Sequence, residues 1–145
     1  MALKRNRVAL VTAGASGIGR SIAEKFLSYG CSVHICDIDQ TAIDDFLTKN
    51  PNASASRADV SDVEQVAWLF NDFSSRFGRL DILVNNAGIA GPTANLEEIT
   101  PADWDKTIAV NINGQFYVTR HAVPIMKKTG PGSIITISSS AGLKY

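Results

Sequence analysis

The 145-residue sequence has no net charge, no long apolar run and only two cysteines. Lys+Arg and Asp+Glu both number 14, so the charge balance argues against nucleic acid and a membrane surface as partners. No apolar stretch reaches the roughly 18–20 residues of a membrane span. Met1-Ala2-Leu3-Lys4-Arg5-Asn6-Arg7 is basic, but no apolar segment with a cleavage site follows it, so no signal peptide is expected. Cys31 and Cys36 are too few for a disulfide framework, which implies a cytoplasmic protein with reduced thiols. They face opposite sides if both lie in one strand. Histidine is scarce too. His34 alternates with Val33 and Ile35 and reads as a polar-face strand residue, and His121 has no partner at ligand spacing, so no metal site is expected. Trp68, Trp104, Phe70, Phe73 and Phe116 read as core or interface residues.

What remains is an ordinary globular composition, 45% hydrophobic and 19% charged, at one domain's length. Residues 1–145 read as one domain, without linker or repeat. Strand-like and helix-like segments alternate. Strands are expected at Val8–Thr12, Ser32–Asp37, Ala53–Ala58, Leu80–Val84 and Ser133–Ser138. Helices are expected at Gly17–Tyr29, with Gly30 as the residue just past its end, and at Gln40–Thr48. Ser61 and Glu64 have the form of a capping box for a third helix, whose apolar face is Val63, Val66, Ala67, Phe70 and Phe73. Thr100 and Pro101 start a long helical stretch to about Lys128, with a break near Gly114. Five strands, each joined to the next by a helical stretch, imply a doubly wound parallel α/β sheet.

Four features then fall at the carboxyl ends of the expected strands, where open parallel sheets bind ligands. After the first strand comes Thr12-Ala13-Gly14-Ala15-Ser16-Gly17-Ile18-Gly19, a glycine turn opening a helix. Unpaired N–H groups at such a helix start favour a phosphate, and small residues let it approach the backbone. Asp37 ends the second strand, with Ile38 beside it. A carboxylate there accepts both ribose hydroxyls of an adenosine and repels a 2′-phosphate, while Ser16 occupies a position where a basic residue would hold that phosphate. Both favour NAD over NADP. Asp59-Val60 follows the third strand, where Asp59 either reaches the adenine or merely precedes the Ser61 cap. Asn85-Asn86-Ala87-Gly88 follows the fourth. Its amides can fix neighbouring backbone, and Gly88 allows close passage of a cofactor.

Together with Val110-Asn111 and Gly132-Ser133-Ile134-Ile135-Thr136-Ile137-Ser138-Ser139, these motifs make the chain resemble the short-chain dehydrogenase/reductase family over essentially its whole length. The resemblance implies a Rossmann-type fold and hydride transfer between a nicotinamide cofactor and an alcohol or carbonyl substrate. It implies cofactor contacts at Thr12, Gly14, Ser16, Gly17, Ile18, Gly19, Asp37, Ile38, Asp59, Val60, Asn86, Ala87 and Gly88. Ala13 departs from the pattern, since the family has glycine there; adjacent Gly14 is the residue that could compensate. In the catalytic set, Asn111 matches the Asn that supports a water in a proton relay, with Asn113 a nearby rival. Ser139, three residues before Gly142, matches the Ser that binds the substrate oxygen, with Ser138 and Ser140 adjacent alternatives. The family's Tyr-x-x-x-Lys pair has no match: Tyr145 is six residues after Ser139 with no lysine beyond it. The resemblance therefore implies a chain carboxyl-terminally truncated relative to the family, lacking the later strands, helices and substrate loop. The alternatives to an NAD-dependent oxidoreductase are a catalytically dead nucleotide-binding module and a fragment without independent function. The family also implies that helices in the position of Thr100–Lys128 pack against a second subunit, giving a homodimer or homotetramer of the parent.

Overall fold

In a computed structural model of the chain, residues 7–139 are described. Ser140, Gly142, Tyr145 and the first six residues, all considered above, lie outside the described residues. The order is β1 (Val8–Thr12), α1 (Gly17–Ser28), β2 (Ser32–Asp37), α2 (Gln40–Lys49), β3 (Ser54–Arg57), α3 (Val63–Arg76), β4 (Ile82–Asn85), a 3₁₀ turn at Leu96–Glu98, α4 (Pro101–Ile108), a π turn at Ala109–Asn113, α5 (Gly114–Thr129) and β5 (Ser133–Thr136). The strands form one parallel sheet in the order β3-β2-β1-β4-β5. The expected doubly wound, Rossmann-type sheet is therefore present. The chain reverses direction across the sheet after β3, which opens a crevice above the carboxyl ends of β1 and β4.

Strand alternation sorts the core into two layers. Val8, Leu10, Cys36 and Leu83 pack with α3 and α5 residues such as Phe70, Phe73, Val118 and Ala122. Ala9, Val11, Val33, Ile35, Ile82 and Val84 pack under α1 and α2, against Ala23, Ile43 and Phe46. Cys31 and Cys36 fall in opposite layers, both buried and free. Burial pushes the Cys36 thiol up to about 12, so it is a small hydrophobe rather than a nucleophile.

Several boundaries move from the sequence reading. Helix α1 ends at Ser28, and Gly30, at φ 80°, terminates it with paired bonds from the Gly30 and Cys31 N–H groups to the Leu27 and Phe26 carbonyls. Strand β4 begins at Ile82 rather than Leu80, because the Asp81 carboxylate turns to accept the Val8 N–H and to pair with Arg79. Strands β3 and β5 are shorter than expected. The Ser61–Glu64 capping box does not form. Asp62 caps α3, accepting the Glu64 and Gln65 N–H groups, because Ser61 is held back on Asp59 by both its N–H and its hydroxyl. Thr100 does cap α4, with Pro101 in the first turn. The break near Gly114 is the π turn, and α5 starts at Gly114, where a Cβ would come within 2.8 Å of the Val60 side chain.

His34 is the largest departure. It is not an exposed polar-face residue but fully buried, facing α3. Both ring nitrogens bond serines of β3, Ser54 at 2.7 Å and Ser56 at 2.8 Å, and Phe73 and Phe77 meet the ring edge-on. The charged groups acting on it are Asp72 and Arg76 of α3; β3 offers only the serine hydroxyls. Burial pushes its pKa from 6.5 down to about 4, the Asp72 charge only partly opposing this. The unfolded chain thus binds a proton between those values that the folded chain refuses. Stability is full above pH 6.5 and falls as pH drops toward about 4, by roughly 3 kcal/mol. Urea unfolding midpoints followed over that window should decline steeply in the wild type and much less in His34→Leu; parallel declines would show that the imidazole is not the group responsible.

Candidate functional site

The site is built where the ends of β1, β2 and β4 meet. The Thr12 hydroxyl is buried and accepts the N–H groups of both Asn86 and Ala87 at 2.9 Å, while reaching the Val84 carbonyl at 3.4 Å. In return the Asn86 amide donates to the Thr12 and Ala13 carbonyls at 3.0 and 3.1 Å. Thr12 was expected among the cofactor contacts. Its side chain joins the two turns that border the crevice.

Each glycine of the first turn has a different task. Gly14 is packed on Ile35, where a Cβ would lie 2.6 Å from its Cγ2. Gly19 lies against the Ala13 carbonyl and the Asn86 amide, with no room for a Cβ. Gly17 needs its freedom for a different reason, since its φ is 54° with open space around it. Gly14 does not compensate for the alanine before it. Ala13 itself takes the left-handed conformation, at φ 47°, as the lone non-glycine among the described residues to do so. Ser16 begins α1 with extended backbone and no side-chain cap bond, and it, Gly17 and Ile18 are exposed. No acidic residue stands in the first turn of α1. The helix therefore presents uncapped N–H groups and the positive end of its dipole to the crevice.

Asp37 closes the other side. Its carboxylate is nearly buried, with Oδ2 accepting the Ala15 N–H at 3.1 Å and Oδ1 the Asp39 N–H at 3.2 Å. The first bond ties β2 to the glycine turn and was not legible from spacing. Each oxygen keeps a second acceptor position. Ile38 is exposed beside it and, with Arg57, Asp59 and Gln65, lines an open pocket. Arg57 Nε donates to the Ile38 carbonyl. Asp59 uses Oδ1 for Ser61 and its own N–H for Gln65 Oε1, so it shapes the turn and lines the pocket, while the helix cap it was expected to precede is Asp62 rather than Ser61. Val60 is buried beneath Gly114.

Across the crevice, Gly88 is exposed and a Cβ there would lie 3.4 Å from Asn111 Oδ1. Asn111 sits in the π turn and grips Ile89 twice: Oδ1 accepts its N–H and Nδ2 donates to its carbonyl, both at 2.8 Å. This clamp was not legible from spacing, because its partner lies 22 residues away in another segment. Asn113, its rival, takes no such contact in any described hydrogen bond. Asn85 donates to Thr119 Oγ1, and its buried Oδ1 has no protein partner. Ser139 is exposed beyond the end of β5. Among the described residues no group of three or more His, Cys, Asp or Glu is placed to hold a metal ion, and no helix is long and apolar enough to cross a membrane.

A left-handed alanine costs about 1–2 kcal/mol, against roughly 0.5–1 kcal/mol for the freedom glycine loses on folding. Ala13→Gly should therefore raise unfolding stability by roughly 0.5–1 kcal/mol. An unchanged or lower urea midpoint would show that position 13 is unstrained. Gly19→Ala, which forces a methyl into the Ala13 carbonyl, should cost about 1–3 kcal/mol.

The site can now be set beside known proteins. The family model for short chain dehydrogenase matches residues 7–145. An uncharacterized oxidoreductase of Thermotoga maritima is 41% identical, the match covering 96% of this chain and 56% of that protein. Cyclohexanol dehydrogenase of an Acinetobacter species is 35% identical, covering 95% and 57%. The crystal structure of levodione reductase superposes with a TM-score of 0.89 at 32% identity, over 95% of this chain and 56% of that one. A 3-ketoacyl-ACP reductase from Sinorhizobium meliloti superposes with the same TM-score at 36% identity, again covering 95% and 56%. The chain thus spans about half the length of the relatives it matches. A match running through every turn that borders the crevice places this chain in the short-chain dehydrogenase family.

Proposed function

We propose that residues 1–145 are the cofactor half of an NAD-dependent oxidoreductase, which moves a hydride between the nicotinamide and a secondary alcohol or ketone. The observation that carries the cofactor choice is Asp37. Its carboxylate is held by two backbone N–H groups beside the glycine turn, with an acceptor position left on each oxygen for a ribose hydroxyl. A 2′-phosphate there would meet a buried negative charge. Arg57 is the nearby cation, but it is exposed and its Nε is already on the Ile38 carbonyl. A screened, exposed charge does not outweigh a fixed carboxylate at the point of contact. A relative from a Sphingomonas species, 35% identical, is named as an NAD(+)-dependent dehydrogenase.

The residues fit that cofactor in other ways. Gly14 and Gly19 leave the turn without side chains, and the uncapped start of α1 at Ser16, Gly17 and Ile18 suits a pyrophosphate. Asp59 and Val60 stand at the adenine end. Asn86, Ala87 and Gly88 form the opposite wall of the crevice. When bound, NAD supplies the hydride acceptor. Ser139 then donates a hydrogen bond to the substrate oxygen. Asn111, fixed by Ile89, retains one position at each end of its amide for a single water. The tyrosine and lysine that the family resemblance implies for the acid–base step have no match in residues 1–145. Trp104, Ile112 and Phe116 are more than half exposed along α4, the π turn and α5, which supports a second subunit packing there in the parent protein.

Titration of the 145-residue chain by NADH fluorescence should saturate, with NADPH binding much more weakly. Asp37→Ala should weaken NADH by about tenfold and narrow the gap to NADPH. Equal affinity for the two cofactors in the wild type would reject the assignment to NAD, and absence of saturable NADH binding would reject the cofactor site.

A further inference from the structure

Strand β3 is an edge strand of four residues, Ser-Ala-Ser-Arg, with almost no apolar surface of its own. Hydrophobic burial therefore does little to choose its register, and polar contacts must. Its pairing places Ser54 beside His34 and Ser56 beside Cys36, so both serines share the face of the His34 ring. One imidazole spans them, Nδ1 at 2.7 Å from Ser54 Oγ and Nε2 at 2.8 Å from Ser56 Oγ. A slip by one residue would set Ala55 opposite His34 and turn both hydroxyls to the other face.

The direction of these bonds follows from hydrogen counting. Ser56 Oγ lies 2.6 Å from Asp72 Oδ2. Partial burial raises the Asp72 pKa, but the Ser56 hydroxyl and Arg76 outweigh it and hold the carboxyl below its ordinary value, so it is ionised and only accepts. Ser56 has one hydroxyl hydrogen and gives it to Asp72. It must then accept from His34, which puts the imidazole proton on Nε2. Nδ1 is left bare and accepts from Ser54. The four groups form one chain of bonds, Ser54 to His34 to Ser56 to Asp72, every hydrogen pointing toward the carboxylate.

We propose that His34, held as its Nε2–H tautomer by Asp72 through Ser56, pins the register of β3 and so positions Asp59 and Val60 for the adenosine end of the cofactor. This rests on the NAD reading above. The connection is short. Beyond the pinned serines, the Ala58 N–H bonds the Asp37 carbonyl at 3.0 Å and Arg57 bonds the Ile38 carbonyl at 3.1 Å, so β3 hands its register directly to the turn that carries Asp59. A one-residue slip would carry Asp59 about 3.3 Å along the strand, beyond the reach of any hydrogen bond set for the present geometry.

The test uses the 145-residue chain. Histidine-selective ¹⁵N NMR should show His34 with a protonated Nε2 and a bare Nδ1. His34→Leu keeps the packing on Phe73 and Phe77 but loses both bonds. It should lose hydrogen-exchange protection across Ser54–Arg57 and weaken NADH by about tenfold, while leaving reduced nicotinamide mononucleotide, which lacks the adenosine, unaffected. His34→Gln, with one donor and one acceptor end, should restore most of both, and it serves if the leucine variant fails to fold. An Nδ1–H tautomer in the wild type overturns the proposal. So does a leucine variant with undiminished β3 protection and NADH affinity, or one that loses both ligands equally. If the wild type binds no NADH, the cofactor reading fails by itself, and tautomer and exchange alone decide the pin.

Discussion

Every part of the crevice depends on the interlock between Thr12 and Asn86. β1 and β4 are neighbours in the sheet, yet their terminal turns come from chain segments more than seventy residues apart. Six polar groups with few alternatives nearby bond one another: the Thr12 hydroxyl, the Asn86 and Ala87 N–H groups, and the Asn86 amide with the two carbonyls it caps. Being partly buried, these bonds are costly to leave unmade. Gly19 is small because α1 must come down onto this interlock. Asp37, through Ala15, then ties the third strand end to the same turn. The uncapped start of α1, the Asp37 carboxylate and the wall at Gly88 are held relative to one another by a handful of side chains.

The second theme is how polar residues serve a sheet with both faces covered. Asp81 is nearly buried and satisfied by Val8 and Arg79; His34 is buried and satisfied by two serines and, through one of them, Asp72. The first ties the starts of β1 and β4 together, and the second lies against the edge strand β3, where apolar packing alone is weak. Buried polar networks cost more than apolar packing when incomplete, but they discriminate sharply between registers. The carboxylate ends of this economy face solvent, through Arg79 and Arg76, while the imidazole does not.

Much of the fold was legible because it rests on local rules. Val8–Thr12 and Ser32–Asp37 are continuous apolar or half-apolar runs bounded by turn residues, and both strands fall where expected. Thr100-Pro101 and Gly30 act at their own positions in the chain and needed no tertiary context. The Ser61 capping box was misread for a physical reason: two residues, Ser61 and Asp62, compete for the same helix start, and Asp59, outside the motif, decides by holding Ser61. The start of β4 was placed too early at Leu80 because the turn of Asp81 toward Val8 and Arg79 is set by residues outside the segment.

The sequence by itself determined the α/β alternation, the glycine turn, the acid at the end of β2 and the family to which these belong, since each is carried by residue type and spacing along one segment. Only the tertiary structure decided what each residue does. Thr12 ties two turns together, Ala13 took the strain in place of a glycine, Asn111 became a clamp on Ile89, and His34 moved from a polar face to the core. These outcomes depend on partners far apart in sequence and on which side of the sheet a neighbouring helix covers. Periodicity places a side chain on a face; it does not say whether that face meets water or another element.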